Sequence, residues 1–157
     1  MYLPRITQLT NKSNQFNLTT RRYNTEEMQQ VFEDPNAVRL YGKLLDKFGD
    51  NGIVSVVIGH KESDVLHLDL WLMSCRVLKR DMEFAMMDQL AEICKQQGIQ
   101  TIRGYYYPTA KNNMVRELYR DFGFTLVAED ADKNTIWELA VSDYTKKNFV
   151  ITVKTEE

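Results

Sequence analysis

The stretch from His67 to Phe124 constrains the fold more than any other part of this chain. VLHLDLWLM has the apolar density of a strand in a buried sheet. Alternation puts His67, Asp69, Trp71 and Met73 on one face and Leu66, Leu68, Leu70 and Leu72 on the other, so the leucine face is expected to be core. After the basic turn VLKRDMEF, Met82, Met86, Met87, Leu90, Ile93 and Cys94 recur at helical spacing between Arg80 and Gln97. Gly98 is placed to end that helix. TIRGYYY then reads as a strand that Pro108 breaks. Asn112 or Asn113 caps a further helix holding Val115, Leu118, Tyr119 and Phe122, and Gly123 ends it.

The flanking segments add strands. FNLTTRRY alternates loosely and is rich in threonine, as a half-exposed strand would be. A helix starts at Asn24 or Thr25, gains from Glu26 and Glu27 in its first turn, and stops before Pro35. VRLYGKLLDKF has helical propensity, yet GDNG follows at once and IVSVVIGH is a strand. The spacing therefore predicts two strands around a turn at Asp50-Asn51-Gly52. TLVAED and TIWELAV form a hairpin across Asp132-Lys133-Asn134, and FVITVK is a last short strand. Strands interrupted by helices, with hairpins at both ends, make an α/β mixed sheet covered by helices. The 157 residues fit one domain, 1–157, large enough to bury a core.

Bulk properties exclude several functions. Net charge is −2, and the basic residues are dispersed, which argues against a nucleic-acid surface. Cys75 and Cys94 are the only cysteines, and with His60 and His67 they make no metal-ligand spacing, so no metal site is expected. No apolar run is long enough to span a membrane, and MYLPRITQL lacks a basic region followed by an apolar one. A reducing compartment, the cytoplasm, is the expectation.

The element order, and above all NNMVRELYRDFGF, resembles the GNAT acyltransferases, whose segment ends N-x-x-A-x-x-L-Y-x-x-x-G-F. The resemblance implies a central, mostly antiparallel twisted sheet with helices on both faces. It implies that VLHLDLWLM and TIRGYYY splay apart, and that the pantetheine arm of a cofactor enters the gap like an added strand. It also implies that a pyrophosphate rests where the next helix begins. The candidate cofactor-binding residues are then Arg76, Val77, Leu78, Lys79, Arg80, Asp81, Met82 and Asn112. The family pattern Q/R-x-x-G-x-G/A falls on Leu78, Asp81 and Glu83, and all three depart from it. Two carboxylates there repel phosphate, which offsets a helix-dipole gain of only about 0.3–1 kcal/mol per charge. Tyr119 matches the tyrosine that protonates a leaving thiolate in many relatives; the other reading is a packed tyrosine with its hydroxyl on a backbone partner. Asn112 matches an asparagine that touches the cofactor; the other reading is a helix cap.

QLTNKSNQFNLTTRRY, LLDKFGDNGIVSVVI, DLWLMSCRVLKRDME and YYYPTAKNN narrow the resemblance to the C-terminal GNAT-like domain of FkbH-type proteins. That family fuses a haloacid-dehalogenase-like domain to this one. It is associated with loading a glyceryl unit onto an acyl carrier protein, toward methoxymalonyl extender units. The dehalogenase hallmark D-x-D-x-T/V is expected to be absent, since Asp130-Ala131-Asp132 runs into Lys133-Asn134 and reads as a hairpin turn. The implied partners are an acyl carrier protein and a dehalogenase-like domain in cis or trans. The implied cofactor is acyl-CoA or a phosphopantetheine-bound acyl group.

Cys75 follows the strand that ends at Met73 and precedes the long helix. A helix N-terminus with Arg76 or Arg80 would lower its pKa and make it a nucleophile able to hold an acyl group; the other reading is a small buried residue at a strand end. Asn14, Gln15 and Asn17 carry paired donors and acceptors suited to hydroxyls or a thioester carbonyl, or else they cap backbone groups. Arg21 could reach a phosphate of phosphopantetheine. Three functions stay open: acyl handling of the FkbH type, an ordinary acyl-CoA N-acetyltransferase, and a non-catalytic docking module.

Overall fold

A computed structural model describes residues 3–46, 49–74, 81–148 and 153. The elements run α1 (Leu3–Lys12), α2 (Thr25–Glu33), β1 (Ala37–Asp46), β2 (Gly49–Glu62), β3 (Val65–Met73), α3 (Met82–Gln96), β4 (Thr101–Tyr106), α4 (Leu118–Asp121), β5 (Thr125–Glu129) and β6 (Thr135–Ala140). Among the described residues six strands form one sheet in the order β1-β2-β3-β4-β6-β5. Only β3 and β4 are parallel. All other neighbours are antiparallel.

Two cores cover the two faces. On one, α1, α2 and the segment leading into α2 place Ile6, Leu9, Tyr23 and Met28 against Ile53, Val56, Ile58, Leu70 and Leu72. On the other, Met82, Met86, Met87, Leu90, Ala91 and Cys94 of α3 join Tyr119, Phe122, Phe124 and Trp137. Burial pushes the Cys94 thiol up to about 12, as expected of a core cysteine. Gly104 of β4 lies against the Tyr119 ring so closely that a Cβ would come within 2.5 Å of it. The glycine therefore lets α4 settle on the sheet.

The strand VLHLDLWLM does not put its four leucines on one face. Ile58 pairs with Leu70 but Gly59 pairs with Leu68, so Asp69 is an extra residue, a β-bulge. One extra residue inverts every side chain beyond it. Leu66 and Leu68 consequently face α3 together with Trp71 and Met73, while Leu70 and Leu72 face α1 and α2. Gly59 accommodates the bulge, since a Cβ there would sit 2.8 Å from the His67 carbonyl oxygen.

Other expectations hold or shift. Asn24 caps α2 in a reciprocal capping box with Glu27. VRLYGKLLDKF begins as strand, but Asp46 pairs with Gly49, so Asp50-Asn51-Gly52 is not the hairpin turn. It forms an irregularity inside β2, with Gly52 at φ +70. Asp130 accepts from the backbone of Asp132 and Asn134, which makes the Asp130–Asn134 stretch the turn between β5 and β6. The single helix expected after Asn112 is broken into a 3-10 turn, Asn113–Val115, and the short α4. Helix α1 has no counterpart in the sequence reading, and FVITVK lies almost wholly outside the described residues. FNLTTRRY is not a strand, though Asn17 makes an isolated antiparallel bridge to Leu72.

Candidate functional site

That bridge changes the meaning of the splayed strands. β3 and β4 pair only at Val65–Thr101, Leu66–Ile102 and His67–Arg103. Beyond these pairs the gap is taken up by residues 16–18. The Leu18 N–H donates to the Trp71 carbonyl at 3.0 Å, and the Met73 N–H donates to the Phe16 carbonyl at 2.9 Å. On the other side, the Tyr107 N–H donates to the Leu18 carbonyl at 2.8 Å. Phe16 and Leu18 are buried in the α3-side core. The backbone positions of β3 that would receive a pantetheine arm are thus already paired within the chain.

Asn112 locks this segment in place. It is fully buried, and its amide N–H groups donate to the carbonyls of Asn17 and Tyr107 at 2.9 and 3.0 Å. Its side-chain oxygen accepts from the Thr109 N–H at 2.8 Å and from the Tyr106 hydroxyl at 3.2 Å. Asn17 is also fully buried, with its amide spent on the Ser13 carbonyl and the Thr20 N–H. Asn14 accepts from Arg22. Gln15 is exposed. All three asparagines expected to meet ligand, Asn14, Asn17 and Asn112, therefore use polar atoms on the chain itself.

The start of α3 is acidic. Asp81 takes a left-handed backbone, φ +63, and its side chain caps nothing. Glu83 is raised above the usual carboxylate range by burial, with Asp81 and Asp121 adding to it. Met82 packs in the core against Gly42. Cys75, Arg76, Val77, Leu78, Lys79 and Arg80 lie outside the described residues. Tyr119 is buried, and its hydroxyl donates to the Tyr105 carbonyl at 3.4 Å. Burial pushes that phenol far above its ordinary value, so in this arrangement it meets backbone and not solvent.

A second group of residues, on the α1/α2 face, is open. A cleft of about 590 Å³ is lined by Thr19, Arg21, His60, Glu62, His67, Asp69 and two tyrosines of the β4 end. A neighbouring cleft of about 330 Å³ shares Arg21, His60 and Asp69 with it. The bulge aims Asp69 at His60, whose Nδ1 lies 2.8 Å from a carboxylate oxygen. Arg21 reaches the other Asp69 oxygen at 3.8 Å and lies over the Tyr23 ring. The carboxylate fixes the tautomer with the proton on Nδ1, which leaves His60 Nε2 as a base. His67 sits directly opposite His60, and its Nδ1 is 2.7 Å from the Tyr105 hydroxyl. Burial, then the neighbouring His60, lowers the His67 pKa, so this imidazole is neutral at neutral pH.

The arrangement is a carboxylate–histidine pair beside a half-exposed guanidinium, at the junction of two clefts. It can take a proton from an acceptor and orient an oxyanion. Arg21, expected from sequence to reach a phosphate, is set beside Asp69. His60 and Asp69 were not singled out, because the pair exists only in the β2–β3 register, and the bulge that aims Asp69 has no sequence mark of its own.

No protein-family model matches the chain, and no curated protein matches it. Solved structures do. The ribosomal-protein-S18-alanine N-acetyltransferase of Escherichia coli is similar with a TM-score of 0.66 at 13% identity, over 94% of this chain and 92% of that one. Rv2747 of Mycobacterium tuberculosis, in complex with CoA and NLQ, is similar with a TM-score of 0.66 at 14% identity, over 88% and 93%. An aminoglycoside 6'-N-acetyltransferase complexed with coenzyme A is similar with a TM-score of 0.59 at 11% identity, over 74% and 79%. The chain has the GNAT acetyltransferase fold. No helix among the described residues is long and apolar enough to cross a membrane.

Proposed function

We propose that this GNAT-fold chain is an acyl-transfer domain of the FkbH type, which passes a glyceryl-like unit to the phosphopantetheine thiol of an acyl carrier protein. The observation that carries the reading is the His60–Asp69 pair at the meeting point of two clefts. Two clefts on one base suit a donor and an acceptor. His60 Nε2 takes the thiol proton, and the thiolate attacks the acyl carbonyl. Arg21 donates to the oxyanion, and the imidazolium returns the proton to the leaving group as the donor bond breaks. The donor is an acyl ester or thioester; the Cys75 thiol is the candidate carrier from the sequence.

The filled gap favours a carrier protein over free coenzyme A. Free coenzyme A depends on the strand edge and on phosphate contacts for its affinity. Here the strand edge is paired to residues 16–18, and Asp81 and Glu83 stand at the helix start. A carrier protein brings a docking surface of its own, so its arm needs neither. The second reading, an acyl-CoA N-acetyltransferase, draws on the fold and on the coenzyme A in solved relatives. It requires residues 16–18 to leave the gap.

A glyceryl thioester of a small thiol, mixed with the protein and offered either a holo carrier protein or coenzyme A as the acceptor thiol, separates the readings by mass spectrometry. The proposal expects acylation of the carrier-protein thiol only. Equal acylation of coenzyme A, or acetylation of an added amine by acetyl-CoA, supports the acetyltransferase. Use of neither supports a docking module.

A further inference from the structure

We propose that His60, Glu62 and His67 form a binding site for a divalent transition-metal ion of the Zn2+ class. His60 and His67 are directly opposed on β2 and β3, with their rings stacked 5.0 Å apart and within 15° of parallel. Each ring already has its Nδ1 engaged, by the Asp69 carboxylate at 2.8 Å and by the Tyr105 hydroxyl at 2.7 Å. The Asp69 carboxylate accepts, so His60 carries its proton on Nδ1 and its lone pair on Nε2; the Tyr105 hydroxyl can accept from His67 Nδ1, the tautomer in which His67 Nε2 is the ligand atom. A histidine ligand to zinc characteristically has its second nitrogen held by such an outer partner, which fixes both tautomer and ring orientation.

Glu62 supplies the third atom, with a carboxylate oxygen 3.9 Å from His67 Nε2. The three ligand atoms lie within 4.8 Å of one another. Zinc bonds of about 2.0–2.2 Å need them closer. Glu62, 77% exposed, has room to close that distance, and His60, 44% exposed, can pivot about its bond to Asp69, while His67 is 16% exposed and held. Two imidazoles and one carboxylate leave a fourth position for water on the cleft side, the composition of an open zinc site. These are the only histidines of the chain, so imidazole binding cannot come from elsewhere. Spacing along the sequence hid the site, because a β-hairpin brings the two histidines face to face.

The site shares His60 with the acyl-transfer reading but is tested without it. An ion on His60 Nε2 takes the lone pair that would accept a proton, so metal loading and transfer through His60 exclude each other. Calorimetric titration of ZnCl2 into the chelator-treated protein should show one saturable site. His67→Asn should weaken it at least tenfold, and Tyr105→Phe, which keeps all three ligands, should weaken it by roughly tenfold or more. The exposed Glu62→Gln should weaken it without touching the core. Absence of saturable uptake overturns the site. So does uptake that survives His67→Asn and Glu62→Gln but is lost in Cys75→Ser, which assigns the ion to a thiol. Transfer assays on the metal-free protein report on the function separately, so either idea can fail alone.

Discussion

Asn112→Asp is expected to cost about 3 kcal/mol and to lower the melting temperature by roughly 6–12 °C. The native amide donates to two buried carbonyls, of Asn17 and Tyr107, and accepts from the Thr109 N–H and the Tyr106 hydroxyl. A carboxylate keeps the acceptors and loses both donors. It then faces two carbonyl oxygens with like partial charge in a buried site, and those oxygens lose their partners. Unpaired buried polar groups cost about 1–3 kcal/mol each, against a total stability of about 5–15 kcal/mol. Protonating the new carboxyl restores one donor, so the substituted group is favoured protonated in the folded chain. Its folded pKa is raised, and the loss of stability is therefore larger at pH 7 than at pH 4. Thermal unfolding at the two pH values checks this. A melting temperature within about 2 °C of the parent at pH 7 would show that Asn112 does not hold the segment in the gap.

His60→Ala is expected to slow acyl transfer by roughly 10²–10⁴-fold, the usual contribution of a positioned proton acceptor. The effect should fall on kcat, because the small imidazole contributes little to binding a carrier protein. Asp69→Asn tests the same pair differently. An asparagine can donate its amide to Nδ1, which moves the imidazole proton to Nε2 and removes the base while the ring stays in place. The two substitutions act on one unit, so the double variant should be little slower than His60→Ala alone. Steady-state kinetics of carrier-protein acylation measures all three. Rates within about twofold of the parent in both single variants would remove His60 and Asp69 from the chemistry and leave the docking reading.

The sequence carries the architecture well wherever local periodicity decides it. The α3 stripe from Met82 to Cys94, the capped α2 and the hairpin at Asp130–Asn134 all depend on neighbours a few residues apart. Features set by register are not legible in this way. One residue, Asp69, turns the second half of β3 over, sending Leu70 and Leu72 to a different core from Leu66 and Leu68. Asp50-Asn51-Gly52 has hairpin-turn chemistry, yet the pairing of Asp46 with Gly49 leaves it inside a strand.

The site divides along the same line. Arg21, Asn17 and Asn112 stand out as residue types, and the fold brings all three close to the splayed strands. Two of them turn out to hold the chain against itself, because a polar side chain in a buried gap must first satisfy the backbone around it. His60 and Asp69 belong to different strands and meet only across the hairpin. Phe16 and Leu18 look like the inward residues of an ordinary strand, and nothing in FNLTTRRY tells that they enter another pair of strands.

The most direct test is a thermal-shift titration of the protein with coenzyme A and acetyl-CoA up to millimolar concentration. A ligand at about 100 times its dissociation constant adds roughly 2.7 kcal/mol of stability, which is readily seen. With residues 16–18 paired to both strands, the account predicts no shift from either compound. A saturable upward shift would mean that the gap opens to a pantetheine arm, and would contradict it.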